Sequence, residues 1–307
     1  MPWTNASIVL NSRDATRGTY NNNTFNSVGQ NIIQGQIDSI AVSEVNFPYD
    51  IPNMQAGFNY FLLYLTVGPQ VDFQVTVPPG FYTGTELATE ITALIVAGGL
   101  AQAPPVVAAD LPTCVYDTTA NRFTFVGPVN PVYAQSWEII TPFTNPSPVL
   151  LPSNNLGKDI LSIMGFPPES APLQIGPGPG GVQVGVGGSA PLAFTQYIDI
   201  CSPQLCKFQY FRDGTTTNLA RRSDVICRLY IANNVATQEE EGTRPFVIHR
   251  QYKNARVMRW TADNSVGTID IQLFDDVGQP LLTSWTPRPY QITFNCYELS
   301  AEEGLGR

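Results

Sequence analysis

Histidine and charge are what this 307-residue chain has least of. It holds one histidine, and charged residues make up 13% of it, against roughly 25% in an ordinary soluble domain. No apolar run approaches the roughly 18 residues of a membrane-spanning helix. We therefore expect no membrane span. A histidine-based catalytic triad would have only His249 to use, and no Gly-x-Ser-x-Gly motif accompanies it.

Motifs that bind metals or nucleotides are missing as well. The glycine-rich run at 176–188 lacks the Lys-Ser/Thr ending of a phosphate-binding loop. Asp275-Asp276 stands in a predicted turn, which already accounts for an aspartate there. The five cysteines are odd in number and fit no disulfide framework, so we expect buried thiols. They are Cys114, Cys201, Cys206, Cys227 and Cys296. Cys201 and Cys206 are spaced closely enough to supply two zinc ligands, but the sequence offers no second pair of ligands. We expect no catalytic, cofactor-binding or metal site, and no cofactor.

Charge is unevenly distributed along the chain. The net charge is −9, and residues 18–206 hold two basic residues against twelve acidic ones. Basic residues gather later, at Arg244, Arg250, Lys253, Arg256 and Arg259, with Arg221, Arg222 and Arg228 nearby. Three interpretations stay open: a surface that meets an acidic protein, a solvated strand face, or a nucleic-acid contact. The acidic balance of the chain makes nucleic-acid contact the least favoured.

The first 30 residues read as an N-terminal arm. Residues 19–30 are rich in asparagine and have little to bury, so we expect them to be irregular unless a neighbour holds them. The first five residues show neither the charged segment nor the apolar core of a signal peptide, and we expect none.

Alternating apolar and polar residues predict an all-β protein. Eight strands are expected outside the middle of the chain, at 32–46, 59–67, 71–77, 194–200, 223–231, 245–260, 268–274 and 290–299. The first can bury both faces or carry a bulge, and the sixth is expected to be interrupted. Eight antiparallel strands favour a single jelly roll, formed by residues 31–77 and 194–307. Two barrels or one long sandwich is the alternative.

Residues 78–193 then form a mainly β insertion between strands D and E, if the eight strands are lettered B to I. Thr83 and Glu86 predict a capping box at the start of its one strong helix. The helix carries an apolar stripe and is expected to end at Gly98-Gly99. The stripe consists of Leu87, Ile91, Leu94 and Ile95, and should pack on a hairpin predicted at 113–117 and 121–126. A strand at 136–140 and a helical turn at 156–166 follow. Residues 167–191 are expected to hold no compact element.

Four motifs in this order resemble a known family. They are NFPYDIPN at 46–53, VPPGFYTGTELATEI at 77–91, NRFTF at 121–125 and MGF at 164–166. Together they resemble the minor capsid, or penton, proteins of virophages, polinton-like viruses and related large DNA viruses. The motifs cover roughly residues 30–210, and the chain is richer in Pro, Ala and Gly than such proteins usually are.

The resemblance implies a structural capsid protein and no enzyme. Five copies of an upright jelly roll would form a homopentamer at each vertex of an icosahedral virion. Trimers of a double jelly-roll major capsid protein would flank it, and minor or cement proteins are further candidate neighbours. Assembly inside the host cell is expected, with host-surface contact through the insertion.

Two other functions remain open from the sequence. One is a carbohydrate-binding β-sandwich, a viral attachment protein or lectin, with exposed aromatic residues near the insertion. Its candidates are Phe81, Tyr82, Tyr133 and Trp137. The other is a β-sandwich hydrolase, which needs two carboxylates within about 10 Å of each other in a groove.

Overall fold

The computed structural model describes residues 6–27, 32–33, 37–65, 71–128, 137–140, 159–166, 173–175, 183–184, 189–207, 224–231, 245–259, 266–281 and 288–298. Its contacts divide the chain into two compact units. Unit 1 comprises Met1–Ile51, Thr195–Ala232 and Pro245–Arg307, and unit 2 comprises Pro52–Phe194 and Asn233–Arg244.

Strands dominate the described residues. They are β1 (Ala6–Asn11), β2 (Arg17–Thr19), β3 (Asn22–Asn26), β4 (Ile37–Tyr49), β5 (Tyr60–Leu65), β6 (Asp72–Thr76), β7 (Thr113–Asp117), β8 (Arg122–Val126), β9 (Trp137–Ile140), β10 (Leu173–Ile175), β11 (Gln183–Val184), β12 (Tyr197–Cys201), β13 (Val225–Tyr230), β14 (Phe246–Gln251), β15 (Val257–Arg259), β16 (Thr268–Phe274) and β17 (Gln291–Glu298). The α-helices are α1 (Gly84–Leu100), α2 (Ile160–Ile163) and α3 (Pro203–Cys206).

Unit 1 is a jelly roll made of two antiparallel sheets. One sheet has the order β1-β17-β4-β14, with β15 also paired to β4, and the other has the order β13-β12-β16-β3-β2. Because β14 and β15 pair with the same strand, they count as one interrupted strand, as predicted. Lettering β1, β3, β4, β12, β13, β14–β15, β16 and β17 from B to I gives the sheet orders B-I-D-G and C-H-E-F. This is the arrangement of an eight-stranded jelly roll, which confirms the predicted fold class.

The central strand β4 explains why its sequence shows no clean alternation. Ile40, Ala41 and Val42 are all at most 2% exposed although they follow one another. These three residues pair in regular register with Phe294, Asn295 and Cys296, so their side chains alternate and both faces of the strand are covered here. The register shift between Thr293 and Phe294 places a bulge at Ser43. The predicted bulge or double burial of this strand is therefore confirmed.

Two of the jelly-roll strands come from the segment expected to be an N-terminal arm. β1 pairs along its whole length with β17, and β3 pairs with β16. The expected irregularity of residues 19–30 is thus wrong for the described residues 19–27. The asparagine-rich segment is covered by residues far away in the sequence. Phe25 is 5% exposed, and the amide of Asn23 donates to the hydroxyl of Tyr290 over 2.8 Å.

The segments predicted as the second and third barrel strands lie in unit 2 instead. β5 pairs with β6 on one side and with β9 on the other, in a sheet of order β10-β9-β5-β6. The chain therefore leaves the jelly roll after strand D. That strand is β4, and not the strand predicted at 71–77. The boundary between the units falls between Ile51 and Pro52, whereas the sequence places it at residue 78.

Helix α1 begins as predicted. The Thr83 hydroxyl accepts from the backbone N–H of Glu86, and the Glu86 carboxylate accepts from the backbone N–H of Thr83. The helix packs on β7 of the hairpin and on β6. It continues to Leu100, so the predicted end at Gly98-Gly99 is wrong. A Cβ atom on Gly98 would lie 2.4 Å from the ring of Phe73, so this glycine permits close packing rather than ending the helix.

The rest of unit 2 matches most of the sequence-based elements. The hairpin is formed by β7 and β8, and α2 is followed by Gly165 at φ +87°. The prediction that 167–191 holds no compact element is wrong, because β10 pairs with β9 and β11 pairs with β8. These strands are only three and two residues long, too short for a periodic signal.

Candidate assembly surface

The interrupted strand G lies at the edge of its sheet and exposes much of its surface. Ile248 and Met258 are 3% and 0% exposed and face the core. Val247, next to Ile248 on the same strand, is 63% exposed, and His249 and Arg250 are exposed as well. In the part of the chain that the structure describes, β14 and β15 pair with no strand other than β4. Within those residues, β14 and β15 form the edge of the sheet.

Strand F lies beside strand G, and side chains link the two sheets there. The Tyr252 hydroxyl donates to the carbonyl of Arg228 over 3.0 Å. The Arg256 guanidinium donates to the carbonyl of Val225 over 2.5 Å. We call the cationic residues of β14, β15 and the turn between them the basic edge. They are Arg250, Lys253, Arg256 and Arg259. Residues 245–259 contain no acidic residue, so these four cations follow one another along one interrupted strand without an acidic residue between them.

Arg228 belongs to a different arrangement, on the outer face of the other sheet. Its Nε and a terminal nitrogen donate to the two carboxylate oxygens of Asp199 over 2.6 and 2.8 Å. Its guanidinium lies 3.9 Å from the centre of the Tyr197 ring. The hydrogen bonds with Asp199 raise the pKa of Arg228, although burial opposes this. Arg228 is therefore held by its neighbours, in a group that the sequence did not reveal because Asp199 is 29 residues away.

His249 is an exposed residue on strand β14. Its side chain is 52% exposed, and Nε2 lies 2.9 Å from a carboxylate oxygen of Glu44. This pairing follows from the ladder, in which His249 stands opposite Asn46, two residues from Glu44. The geometry is that of a cross-strand polar pair on a sheet surface.

The cysteines are buried and unlinked. All five are free thiols. Burial raises the pKa of Cys206 to about 11 and that of Cys227 to about 12. A thiol with so high a pKa stays protonated at neutral pH, which makes it a poor nucleophile and a poor metal ligand. The prediction of buried thiols is confirmed.

The remaining sequence candidates have structural explanations. Asp275 accepts from the backbone N–H groups of Val277 and Gln279, and Gly278 in the same turn has φ +79°. Cys201 ends β12, and Cys206 ends the short helix α3. Within the described ranges, no three His, Cys, Asp or Glu residues are grouped to hold a metal ion. Over the same residues, no helix is both long and apolar enough to cross a membrane.

The aromatic residues considered for carbohydrate binding are less available than expected. Trp137 is fully buried, and its indole N–H donates to the carbonyl of Asp110 over 3.0 Å. Phe81 and Tyr82 are half-buried. Tyr133 lies outside the described residues. Trp137, a candidate of the carbohydrate-binding alternative, is therefore unavailable to a sugar, because its strand β9 lies between two others in the sheet of unit 2.

Unit 2 has exposed acidic and apolar residues of its own. Asp72 and Asp117 are exposed. Leu100, Val107 and Val115 are 51%, 54% and 49% exposed. Residues 91–109 carry no charge at all.

The comparisons with known proteins bear on the fold. Neither a protein-family model nor a curated protein sequence matches the chain. Among solved structures, the crystal structure of the selenomethionine-labelled mavirus penton protein is similar over 96% of this chain and 100% of its own. The TM-score is 0.51 and the sequence identity is 10%. The chain has a penton-like fold. At so low an identity, the likeness carries no residue-level role across to this chain.

Proposed function

We propose that this protein is a structural capsid protein that forms the vertices of an icosahedral virion. The observation that carries the proposal is the similarity of almost the whole chain, jelly roll and unit 2 together, to a viral penton protein. A subunit of this kind needs no catalytic group, and we assign it no enzymatic activity. Its place is the virion, after assembly inside the host cell.

The proposed oligomer is a homopentamer. A five-fold ring requires a heterologous interface, in which one surface of each subunit meets a different surface of the next. Two features support such contacts: the exposed strand β14–β15, which ends its sheet within the described residues, and the low overall charge, which leaves neutral surface that neighbours can cover. The other proposed neighbours are the double jelly-roll major capsid protein and minor or cement proteins.

Electron microscopy of the purified protein tests the vertex role. The protein is imaged alone and after mixing with the double jelly-roll major capsid protein of the same virus. The expected result is five-membered rings, alone or in the mixture, and their appearance at vertices of assembled shells. Monomers under both conditions would refute the proposal.

A second proposed role is contact of unit 2 with the host surface. The exposed apolar side chains of Leu100, Val107 and Val115 support it. Replacing the three with serine should lower attachment of virions to host cells without changing the number of vertices occupied. Unchanged attachment would remove the support for this role.

A further inference from the structure

The sheet that contains strand D ends in two different strands. Within the described residues, β1 pairs only with β17 at one edge, and β14 pairs only with β4 at the other. Each of these two strands is six residues long. Val9 on β1 is 54% exposed and Val247 on β14 is 63% exposed. Both edges therefore lie at the surface of the protein.

The ladder registers show which backbone groups point away from the sheet. The Ser12 N–H donates to the carbonyl of Tyr290, and the Tyr252 N–H donates to the carbonyl of Ser43. Because hydrogen-bonded and non-hydrogen-bonded pairs alternate along an antiparallel ladder, every second residue of each edge strand bonds inward. The residues between them direct their N–H and C=O groups outward. On β1 these are Ser7, Val9 and Asn11, and on β14 they are Val247, His249 and Gln251.

Strand β1 lacks the features that usually protect a sheet edge. Its six residues, Ala6–Asn11, include no proline and no charged residue. Its pairing with β17 shows no register shift, so no bulge turns it away. Natural edge strands are commonly protected by charge, proline or a bulge, and an edge without them is a template for a further strand. The β1 edge is therefore suited to bind another strand.

Charge and symmetry favour β14 of a second copy as that strand. Two copies of β14 would bring the exposed guanidinium of Arg250 from each copy into one ladder, where like charges repel. Strand β1 has no charge that could repel Arg250. A contact between two β1 strands is isologous and closes after two copies, so it builds no ring of five. A contact between β14 and β1 is heterologous, as a ring requires.

Strand direction fits a contact between the two edges. Three antiparallel pairings separate β1 from β14, so these two strands run in opposite directions. When the β14 edge of one copy meets the β1 edge of another copy in the same orientation, the two strands are antiparallel. The sheet order then repeats without a break. Equal strand length lets all three outward residues on each strand take part.

We propose that β14 of one copy pairs antiparallel with β1 of a second copy, so that the sheet β1-β17-β4-β14 continues from subunit to subunit. The inference rests on the proposed homopentamer and specifies which strands meet in it. Full overlap of the two strands places Val9 opposite His249. About six backbone hydrogen bonds then form, two for each of the three hydrogen-bonded pairs. In strand addition of this kind, the main-chain hydrogen bonds provide the affinity.

Proline at the two edges tests the backbone contact. V9P removes an outward N–H of β1, and V247P removes one of β14. Neither N–H bonds within the sheet, and proline is tolerated on an edge strand where its nitrogen faces solvent. V9T and V247T are the matched controls, because they keep the N–H and a β-branched side chain. Ring formation is measured by sedimentation and electron microscopy, with and without the major capsid protein.

Each proline variant should raise the dissociation constant of the ring at least about tenfold, since it removes a hydrogen bond and obstructs the ladder. The threonine controls should stay within about threefold of wild type, and all four variants should keep thermal midpoints close to wild type. Normal rings from V9P or from V247P would overturn the inference. An equal loss in the threonine variants would overturn it too, because the valine side chains would then carry the contact.

Cysteine cross-linking tests the same contact even if a proline variant does not fold. V9C is combined in one chain with V247C, H249C or Q251C, which covers three registers. Opposed residues of a hydrogen-bonded pair have Cα atoms about 5.5 Å apart, within reach of a disulfide. The five native thiols are buried and do not compete. After mild oxidation, denaturing electrophoresis should show covalent species of up to five chains, most of them for V9C/H249C.

The single cysteine variants are the controls for the pairing of unlike edges. V9C alone should give monomers under the same oxidation, and so should H249C alone. Covalent dimers from V9C alone would show that β1 pairs with β1, which would overturn the inference. The absence of a cross-link in all three double variants would overturn it as well.

The wild-type protein separates this inference from the vertex role. If wild type forms no ring with or without the major capsid protein, the vertex role and the inference both fail. If wild type forms rings, but the proline variants form them equally well and no double cysteine variant cross-links, only the inference about the strands fails.

Discussion

Replacing Ile91 with aspartate tests whether unit 2 can unfold without unit 1. Ile91 lies in the middle of helix α1 and is 0% exposed, as are Leu87 and Ile95 on the same stripe. The helix packs on β6 and β7, which belong to the two sheets of unit 2. An aspartate at this position therefore places a carboxyl group where the helix meets both sheets.

The expected loss of stability is large. Truncating a buried isoleucine costs about 2–5 kcal/mol. Burying a polar group without a hydrogen-bond partner adds about 2–7 kcal/mol, unless the segment opens to water. A whole domain is stabilised by only about 5–15 kcal/mol. The substitution should therefore unfold unit 2, or open it for most of the time, at room temperature.

Hydrogen–deuterium exchange read by mass spectrometry measures the two units separately. For I91D we expect peptides from β7 and β8 to lose their protection. Peptides from β4 and β17, at the centre of the jelly roll, should keep theirs. Ala93 is exposed on the same helix, so A93D is the matched control, with a cost of only about 0.5 kcal/mol from helix propensity. Simultaneous loss of protection in both units would refute the idea that they fold separately, and no loss in either would refute the packing of α1.

Three further predictions concern single interactions. T83V should lower the stability of unit 2 by about 0.5–2 kcal/mol in urea unfolding, since it removes the cap of α1; an equal loss for T85V, on the exposed face, would contradict this. R228M should lower the stability of the protein in urea unfolding by about 1–3 kcal/mol, because it leaves the nearly buried carboxylate of Asp199 without its partner. An unchanged stability would contradict this and would mean that water replaces the guanidinium. Stability should fall above about pH 9, because Cys227 ionises near 9 when unfolded but near 12 when folded; a flat profile from pH 8 to 11 would contradict the burial of the thiols.

Local signals in the sequence were sufficient for individual elements. The capping box at Thr83, the hairpin of β7 and β8 and the strand at Thr268–Phe274 were all predicted within a residue or two. Each depends on neighbours a few residues apart, which is the range over which caps, turns and alternation act. Elements of two or three residues, such as β10 and β11, lie below that range because they show no period.

The candidate assembly surface was only half predictable. Clustered cations between 244 and 259 were visible in the sequence, and so was their place on an interrupted strand. That this strand lies at a sheet edge was not visible, because edge position depends on which strands lack a second partner. The Arg228–Asp199–Tyr197 group was missed for a related reason: its members meet only because β12 and β13 pair.

The sequence by itself determined the all-β class, the single long helix and six of the eight jelly-roll strands. Only the tertiary structure decided which strands belong to which unit. Alternation tells which face of a strand is buried, but it does not name the partner that buries it. β6 alternates as well as any barrel strand, yet it pairs with β5, which pairs with β9 in unit 2. The weakly patterned β1 and β3 become strands B and C, because β17 and β16 supply the ladders that they could not form alone.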